Sequence, residues 1–255
     1  MKYYEYLLQH EVFTFEEALE IIGAVEATKK VLQRYKKNGL LKHIQRDLYA
    51  IVNLENRDAL TNRYLIASKL SHDAHLVCHS AFEIYGYANQ VSFALWVASE
   101  KRFNSFEFEG ARYHYTGKGL NTGIIQYKLN PKIKVTNLER TVIDSLKNIP
   151  YAGGSHELDQ CLAICAMLDH QKLVNYLQKY DSQFLYKKAG YFGERHQKQL
   201  GIKDEFLDLC SQKCGDSIRY LDDEAKNGFG KLQKHWGLIV PASFEAANKK
   251  RDLFV

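Results

Sequence analysis

Seven basic residues, Lys29, Lys30, Arg34, Lys36, Lys37, Lys42 and Arg46, fall in one segment of the chain that holds no acidic side chain. Cations at that density suit the phosphates of nucleic acid, where they displace counterions and supply affinity without sequence choice. Arg34 carries the planar fork that reads guanine in a major groove and is the candidate base contact. Lys29, Lys30, Lys36 and Lys37 are assigned to phosphates. The preceding residues have the opposite character, with Glu5, Glu11, Glu16, Glu17, Glu20 and Glu26 against Lys2 alone. A solvated helix face would carry a similar set, because Lys and Arg are good surface helix formers. Charge therefore supports DNA binding without requiring it.

Other chemistry is thinner. The five cysteines (Cys78, Cys161, Cys165, Cys210, Cys214) do not make a disulfide scaffold in a chain of this length. Cys161 with Cys165, and Cys210 with Cys214, repeat a four-residue spacing that would face a zinc or iron–sulfur centre from helices. The tight loop spacing of structural zinc is absent, and Leu162, Leu168, Phe206 and Leu209 nearby favour small core hydrophobes. No metal or cofactor is expected. Asp222-Asp223-Glu224 is the best acidic cluster for a divalent ion, but consecutive carboxylates usually mark a solvated turn. Gly117, Gly119 and Gly123 lack the lysine and helix context of a phosphate loop, and no Gly-x-Ser-x-Gly elbow occurs. His79 beside Ser80 lacks the separately oriented base that a nucleophile needs. The expectation is a protein that is not an enzyme, with no catalytic residue.

The elements that must position the basic segment read as a winged helix-turn-helix between Val12 and Val52. Thr14-Phe15-Glu16-Glu17 is a capping box, Ala18, Leu19 and Ile22 give a short apolar face, and Gly23 suits the helix end. A second helix from Glu26 to Asn38 places Ala27, Val31, Leu32 and Tyr35 near one face and stops at Gly39. Leu41 to Val52 then reads as two strands about a tight turn. Such a unit presents its second helix to the major groove.

Asn53 to Ala59 is polar and suits a connector, and Leu60 to Leu70 has helical spacing. Ser80 with Glu83 predicts a second capping box, ahead of a stop at Gly86, and Thr136 with Glu139 a third. Val91–Ser99, Ser105–Gly110, Arg112–Thr116 and Ile124–Leu129 read as strands of a small mixed sheet. Their interleaved aromatics suit cross-strand packing better than base stacking. The remainder is mainly helical (Ser155–Leu168, Asp169–Tyr180, Ser182–Gln199, Lys203–Cys214), with Ile218–Leu221 and Trp236–Val240 as strands returning to the sheet. The fold class is α+β. Residues 1–55 form the winged domain, 56–255 a mixed α/β C-terminal domain, and the linker lies near 53–59.

The chain has 255 residues and a formal net charge of +5, an excess compatible with nucleic acid but too small to demand it. No apolar stretch approaches the ~18–20 residues that cross a bilayer, and the N-terminus lacks a hydrophobic signal segment. A cytoplasmic location without membrane contact is the expectation.

The order of motifs resembles the AbiEi antitoxin family of type IV toxin–antitoxin (abortive infection) systems. The resemblance rests on Phe13-Thr14-Phe15-Glu16-Glu17-Ala18, the stretch from Leu40 to Ala50, His79-Ser80-Ala81-x-Glu83 with Gly86, and Leu138-Glu139-Arg140-Thr141-x-x-Asp144. It extends more loosely through Gly190-Tyr191 and Trp236-Gly237-Leu238-Ile239-Val240-Pro241, and so covers nearly the whole chain. It implies a phage-defence protein that represses its own operon through the N-terminal domain. It also implies that the C-terminal domain counters a nucleotidyltransferase-fold toxin, without a stable complex. The family usually carries Gly in the wing after Arg, whereas this chain has Arg46-Asp47. Asp tolerates turn geometry but makes the tip more acidic. For His79, Ser80, Glu83, Glu139, Arg140 and Asp144 a structural role is expected ahead of direct functional contact.

The leading expectation is thus an autoregulatory repressor and antitoxin whose partner is double-stranded promoter DNA. A protein-interaction or scaffold module, or a regulator without an antitoxin role, are the alternatives. Lys187, Lys188, Arg195 and Lys198, with His196 among them, form a second cationic stretch. A monomer touching DNA through both halves is expected from it.

Overall fold

The computed structural model describes residues 3–228 and 230–244. The fold is mixed α+β, and the chain divides into two compact units: residues 1–76 with 92–135, and residues 77–91 with 136–255.

The first unit begins with α1 (Tyr4–Leu8), β1 (Val12–Thr14), α2 (Phe15–Ile22), α3 (Val25–Lys37), β2 (Leu41–Gln45) and β3 (Leu48–Ile51). The strands form an antiparallel sheet in the order β1-β3-β2. The Thr14 capping box is complete: the Glu17 amide donates to Thr14 Oγ1 at 3.2 Å, and the Thr14 amide to Glu17 Oε2 at 2.8 Å. Gly23, at φ 92°, closes the helix in the left-handed region that glycine enters freely. The core under these elements contains Tyr4, Leu7, Phe13, Ala18, Leu32, Tyr35, Leu40, Leu41 and Ile51. Replacing Thr14 by Ala removes one side of the box and should cost about 1 kcal/mol. A lower urea midpoint for unfolding of this unit checks it, and an unchanged midpoint would show that the box contributes nothing.

Residues 53–59 are not an extended connector. The Asn53 amide donates to Asp58 O at 2.8 Å, the Leu60 amide to Ile51 O at 2.7 Å, and Val52 pairs with Ala59. The segment is a closed turn on the end of β3. α4 (Arg63–Lys69) follows, and then a six-stranded mixed sheet of β4 (His75–Leu76), β5 (Ala94–Ala98), β6 (Phe106–Phe108), β7 (Ala111–Tyr115), β8 (Ile124–Tyr127) and β9 (Asn130–Thr136), in the order β6-β7-β5-β4-β9-β8. The aromatics face their cross-strand neighbours: Phe106 stacks on Tyr113 with centroids 4.6 Å apart, and Trp96 on His114 at 4.9 Å.

The second unit contains α5 (Cys78–Tyr85), α6 (Leu138–Lys147), a 3₁₀ turn (Ile149–Ala152), α7 (Ser155–Ile164), α8 (His170–Tyr180), α9 (Gln183–Arg195), α10 (Gln197–Leu200) and α11 (Asp204–Lys213). It ends with β10 (Arg219–Tyr220), α12 (Asp223–Asn227), β11 (Gly230–Gln233) and β12 (Leu238–Pro241). These last strands do not rejoin the larger sheet but build their own, in the order β10-β12-β11. Nine consecutive residues of α9, Leu185 to Gly193, are buried, so this helix is packed all round rather than along one stripe. Gly190 lies so close to Trp236 that a Cβ would overlap the indole. The indole nitrogen donates to Glu194 at 2.6 Å, one turn further along α9. Gly190→Ala gains helix propensity but overpacks a site with no room to yield, for a net loss of about 1–3 kcal/mol. Chemical denaturation of the full chain reads this directly, and an unaltered midpoint would contradict it.

Candidate nucleic-acid interface

α3 buries Thr28, Leu32 and Tyr35 against the first-unit core. Ala27 is exposed instead. Thr28 takes the inward place because its hydroxyl donates to Ala24 O at 2.9 Å, so burying it leaves no polar atom unpaired. At about 100° per residue, that stripe turns Lys30 and Lys37 directly outward, with Gln33 and Arg34 to either side of them. Lys29 and Lys36 lie on the flank beside the hairpin, where with Gln33, Phe15, His43 and Tyr49 they line a groove. Arg34 lies on the other flank, its guanidinium carbon 5.4 Å from the centroid of the Tyr35 ring, a cation–π contact that orients the fork. All five cations of α3 are exposed. Arg34, Lys36 and Lys37 also sit in the last turn, where the helix dipole favours positive charge. Lys29 pairs with Glu26 at 2.9 Å in the open, an interaction worth little against solvent. Gln33 was not singled out from the sequence. Its spacing from Lys30 and Lys37 is the signal, and a Gln amide can read adenine as Arg reads guanine.

The hairpin divides the remaining two cations. Lys42, expected on the phosphate surface, is half-buried and ion-paired within the unit. It contacts Glu109 and lies 3.8 Å from Asp58, while Glu109 also accepts the Ala59 amide at 3.0 Å. Arg46 is exposed at the hairpin tip and adopts φ 38°. The left-handed residue of this turn is therefore Arg46 rather than Asp47, so the turn forms without glycine at position 47. The Asp47 carbonyl accepts the Phe15 amide at 2.8 Å, fixing the tip to the start of α2.

The second cationic stretch is not a surface. Lys187 and Lys188 are 1% and 4% exposed. Lys187 Nζ donates to Gly215 O at 2.6 Å and to Trp236 O at 3.3 Å, and Lys188 Nζ to Lys147 O at 3.1 Å, at the end of α6. Burial, with Lys147 adding to it, pushes the Lys188 ammonium down to about 8. Arg195 makes two hydrogen bonds to Asp159, at 2.7 and 3.0 Å, and His196 a third at 2.6 Å. Lys198 alone of the four is exposed. Lys187, Lys188, Arg195 and His196 clamp carbonyls and a buried carboxylate, so these four do not form the second cationic surface expected from the sequence.

The motif residues converge inside the second unit. α5 starts before Ser80, which is therefore already helical and does not cap it. His79 is buried, with Nε2 3.1 Å from Glu157 Oε1 and Nδ1 3.9 Å from Glu83 Oε1. Glu157 Oε1 also accepts the amides of Asn89 and Gln90. On α6 the cap is Asn137, not Thr136. Glu139 accepts the Asp169 amide at 3.1 Å, holding the start of α8. Arg140 Nε donates to Asp144 at 3.1 Å, and Tyr180 Oη to the same carboxylate at 2.6 Å. Burial raises the Asp144 carboxyl despite these partners. The pattern is one of interior clamps between helices.

All five cysteines are buried, and burial raises the Cys165 and Cys210 thiols to about 12. Among the described residues no group of His, Cys, Asp and Glu is placed to hold a metal ion. Asp222 caps α12 by accepting the Ala225 amide at 2.9 Å, and Glu224 faces His156.

No protein-family match and no match among curated proteins is found for the chain. Among solved structures it is similar to the RV2827C protein from Mycobacterium tuberculosis, with a TM-score of 0.62 and 13% identity over 90% of this chain and 86% of that one. A likeness at that identity establishes a shared mixed α+β fold. Among the described residues no helix is long and apolar enough to cross a membrane.

Proposed function

We propose that the segment from Val12 to Val52 forms a winged helix-turn-helix and that the chain is a DNA-binding repressor of its own operon. On this reading α3 enters the major groove, and the β2–β3 hairpin is the wing. The observation that carries the reading is the division of α3 into a buried Thr28-Leu32-Tyr35 stripe and an exposed face with five cations and Gln33. Gln33 and Arg34 are base-edge candidates, and Lys30, assigned to phosphate from the sequence, joins them because it lies opposite the buried stripe, while Lys29, Lys36, Lys37 and Arg46 hold phosphates. The antitoxin half of the proposal rests on the resemblance to the AbiEi family. The protein would act as a non-enzymatic cytoplasmic monomer that opposes a nucleotidyltransferase-fold toxin without binding it stably. A reporter driven by the upstream promoter tests the first half: the full chain supplied in trans should silence it, and the Lys30→Ala/Arg34→Ala variant should not. Co-expression with the neighbouring gene tests the second. Protection from growth arrest by both wild type and that variant supports antitoxicity, and no protection by wild type contradicts it.

A further inference from the structure

From a cleft within the first unit, we infer that the DNA-contacting surface continues past the hairpin onto the loop after β5. There Lys101 and Arg102 hold a phosphate of the operator flank together with Arg46. This rests on the DNA-binding reading of α3 and extends it to a place remote in sequence from the winged segment. The cleft is lined by Arg46 and Asp47 of the hairpin tip, by Lys69 at the end of α4, and by Lys101, Arg102 and Phe103. Its cations outnumber its single carboxylate, Asp47. Lys69 is already satisfied by Glu17. Arg46, Lys101 and Arg102 are exposed, and among the described residues their side chains have no acidic partner. The volume, about 110 Å³, is well below the ~300–1,000 Å³ of ordinary small-molecule sites, which favours a backbone phosphate over an enclosed ligand.

Both walls are held in place. Asp47 O is tied to the Phe15 amide at 2.8 Å. On the facing side Ser99 Oγ donates to Lys101 O at 2.8 Å, and Phe103 packs edge-on against Phe106 and Tyr115. Three cations on fixed backbone beside the wing tip meet a phosphodiester without ordering a loop first, which lowers the cost of binding. Asp47 opposes the contact by like charge.

The test measures binding of the full chain to promoter DNA and to scrambled DNA across a salt series. For Lys101→Gln/Arg102→Gln, affinity should fall on both DNAs alike, and the slope of log affinity against log salt should flatten by about 2. Asp47→Asn should tighten binding to both. Lys128→Gln/Lys132→Gln removes the same charge elsewhere in the unit, from exposed positions of the β8–β9 segment, and should leave the slope unchanged. An unchanged slope for the cleft variant, with wild type still preferring its promoter, overturns the cleft and leaves the α3 reading intact. Equal flattening by the control pair also overturns it, since general charge then accounts for the effect. Absence of any DNA binding by wild type removes both readings.

Discussion

Arg34→Ala should lower affinity for the promoter by about 10- to 100-fold while barely changing affinity for scrambled DNA. A bidentate contact to one base pair is worth roughly 1–3 kcal/mol of discrimination, and Arg34 presents its fork from an exposed flank of α3, braced on Tyr35. The loss should concentrate at one guanine: substituting that base in the operator should cost wild type as much as the mutation and cost the variant nothing further. Gln33→Ala should behave in the same way at an adenine. Lys36→Ala gives the contrast. It removes a point charge assigned to phosphate and should weaken promoter and scrambled DNA equally, with a salt slope shallower by about 1. Competition titrations on single-base operator variants measure all three. If Arg34→Ala weakens both DNAs equally, Arg34 is a phosphate contact and base reading belongs to Gln33 and Lys30.

The second large effect concerns stability. Asp159→Asn keeps the volume of the side chain but leaves the buried side chains of Arg195 and His196 without their carboxylate. Breaking a buried charged pair from one side costs about 3–5 kcal/mol, several times the expected effect at Thr14. Burial alone would raise the Asp159 carboxyl, but the hydrogen bonds from His196 and Arg195, with the charges behind them, outweigh it and hold the group well below the usual carboxylate range. A depressed carboxylate contributes stability that is complete above its unfolded value, near 4, and is lost as pH falls toward the folded value. Wild type and Asp159→Asn should therefore differ fully at pH 7, and the gap should begin to narrow only as pH falls below about 4. Urea titrations at a series of pH values check the sign, and a gap that widens on acidification would contradict the role given to Asp159.

What the sequence disclosed depended on how local the controlling interaction is. The Thr14–Glu17 box, the Gly23 stop and the hairpin at Arg46-Asp47 are settled within a few residues, and each is legible from residue type and spacing. The same logic misplaced the starts of α5 and α6. Ser80 and Glu83 have the right spacing, but α5 begins earlier and Glu83 turns toward His79. Asn137 outcompetes Thr136 as the cap of α6, freeing Glu139 for the Asp169 amide. β9 was overlooked because Pro131, Lys132 and Lys134 mask the alternation of its buried Ile133 and Val135. Lys187 and Lys188 show the deeper limit. Their partners lie 28 and 41 residues away, and nothing in a run of basic residues tells an ammonium aimed at distant carbonyls from one in water. Gly190 and Trp236, in contrast, are 46 positions apart in the sequence yet touch.

For the candidate site, the exposed cations of α3 were legible because the apolar residues of the helix fix which side faces out. Gln33 was missed because it is uncharged, and the ion pairs of Lys42 were not legible because its partners Glu109 and Asp58 come from beyond the winged segment. Lys101 and Arg102 are only two residues in sequence, and the fold brings Arg46 to them.

The most direct test is a salt-series titration of the wild-type chain on its upstream promoter and on a scrambled duplex of the same length and composition. Tighter binding to the promoter at every salt concentration, with a salt dependence on both DNAs that reflects several phosphate contacts, is the result expected of a reader built on α3. Equal affinity for the two duplexes throughout the series would contradict sequence-specific repression by this protein.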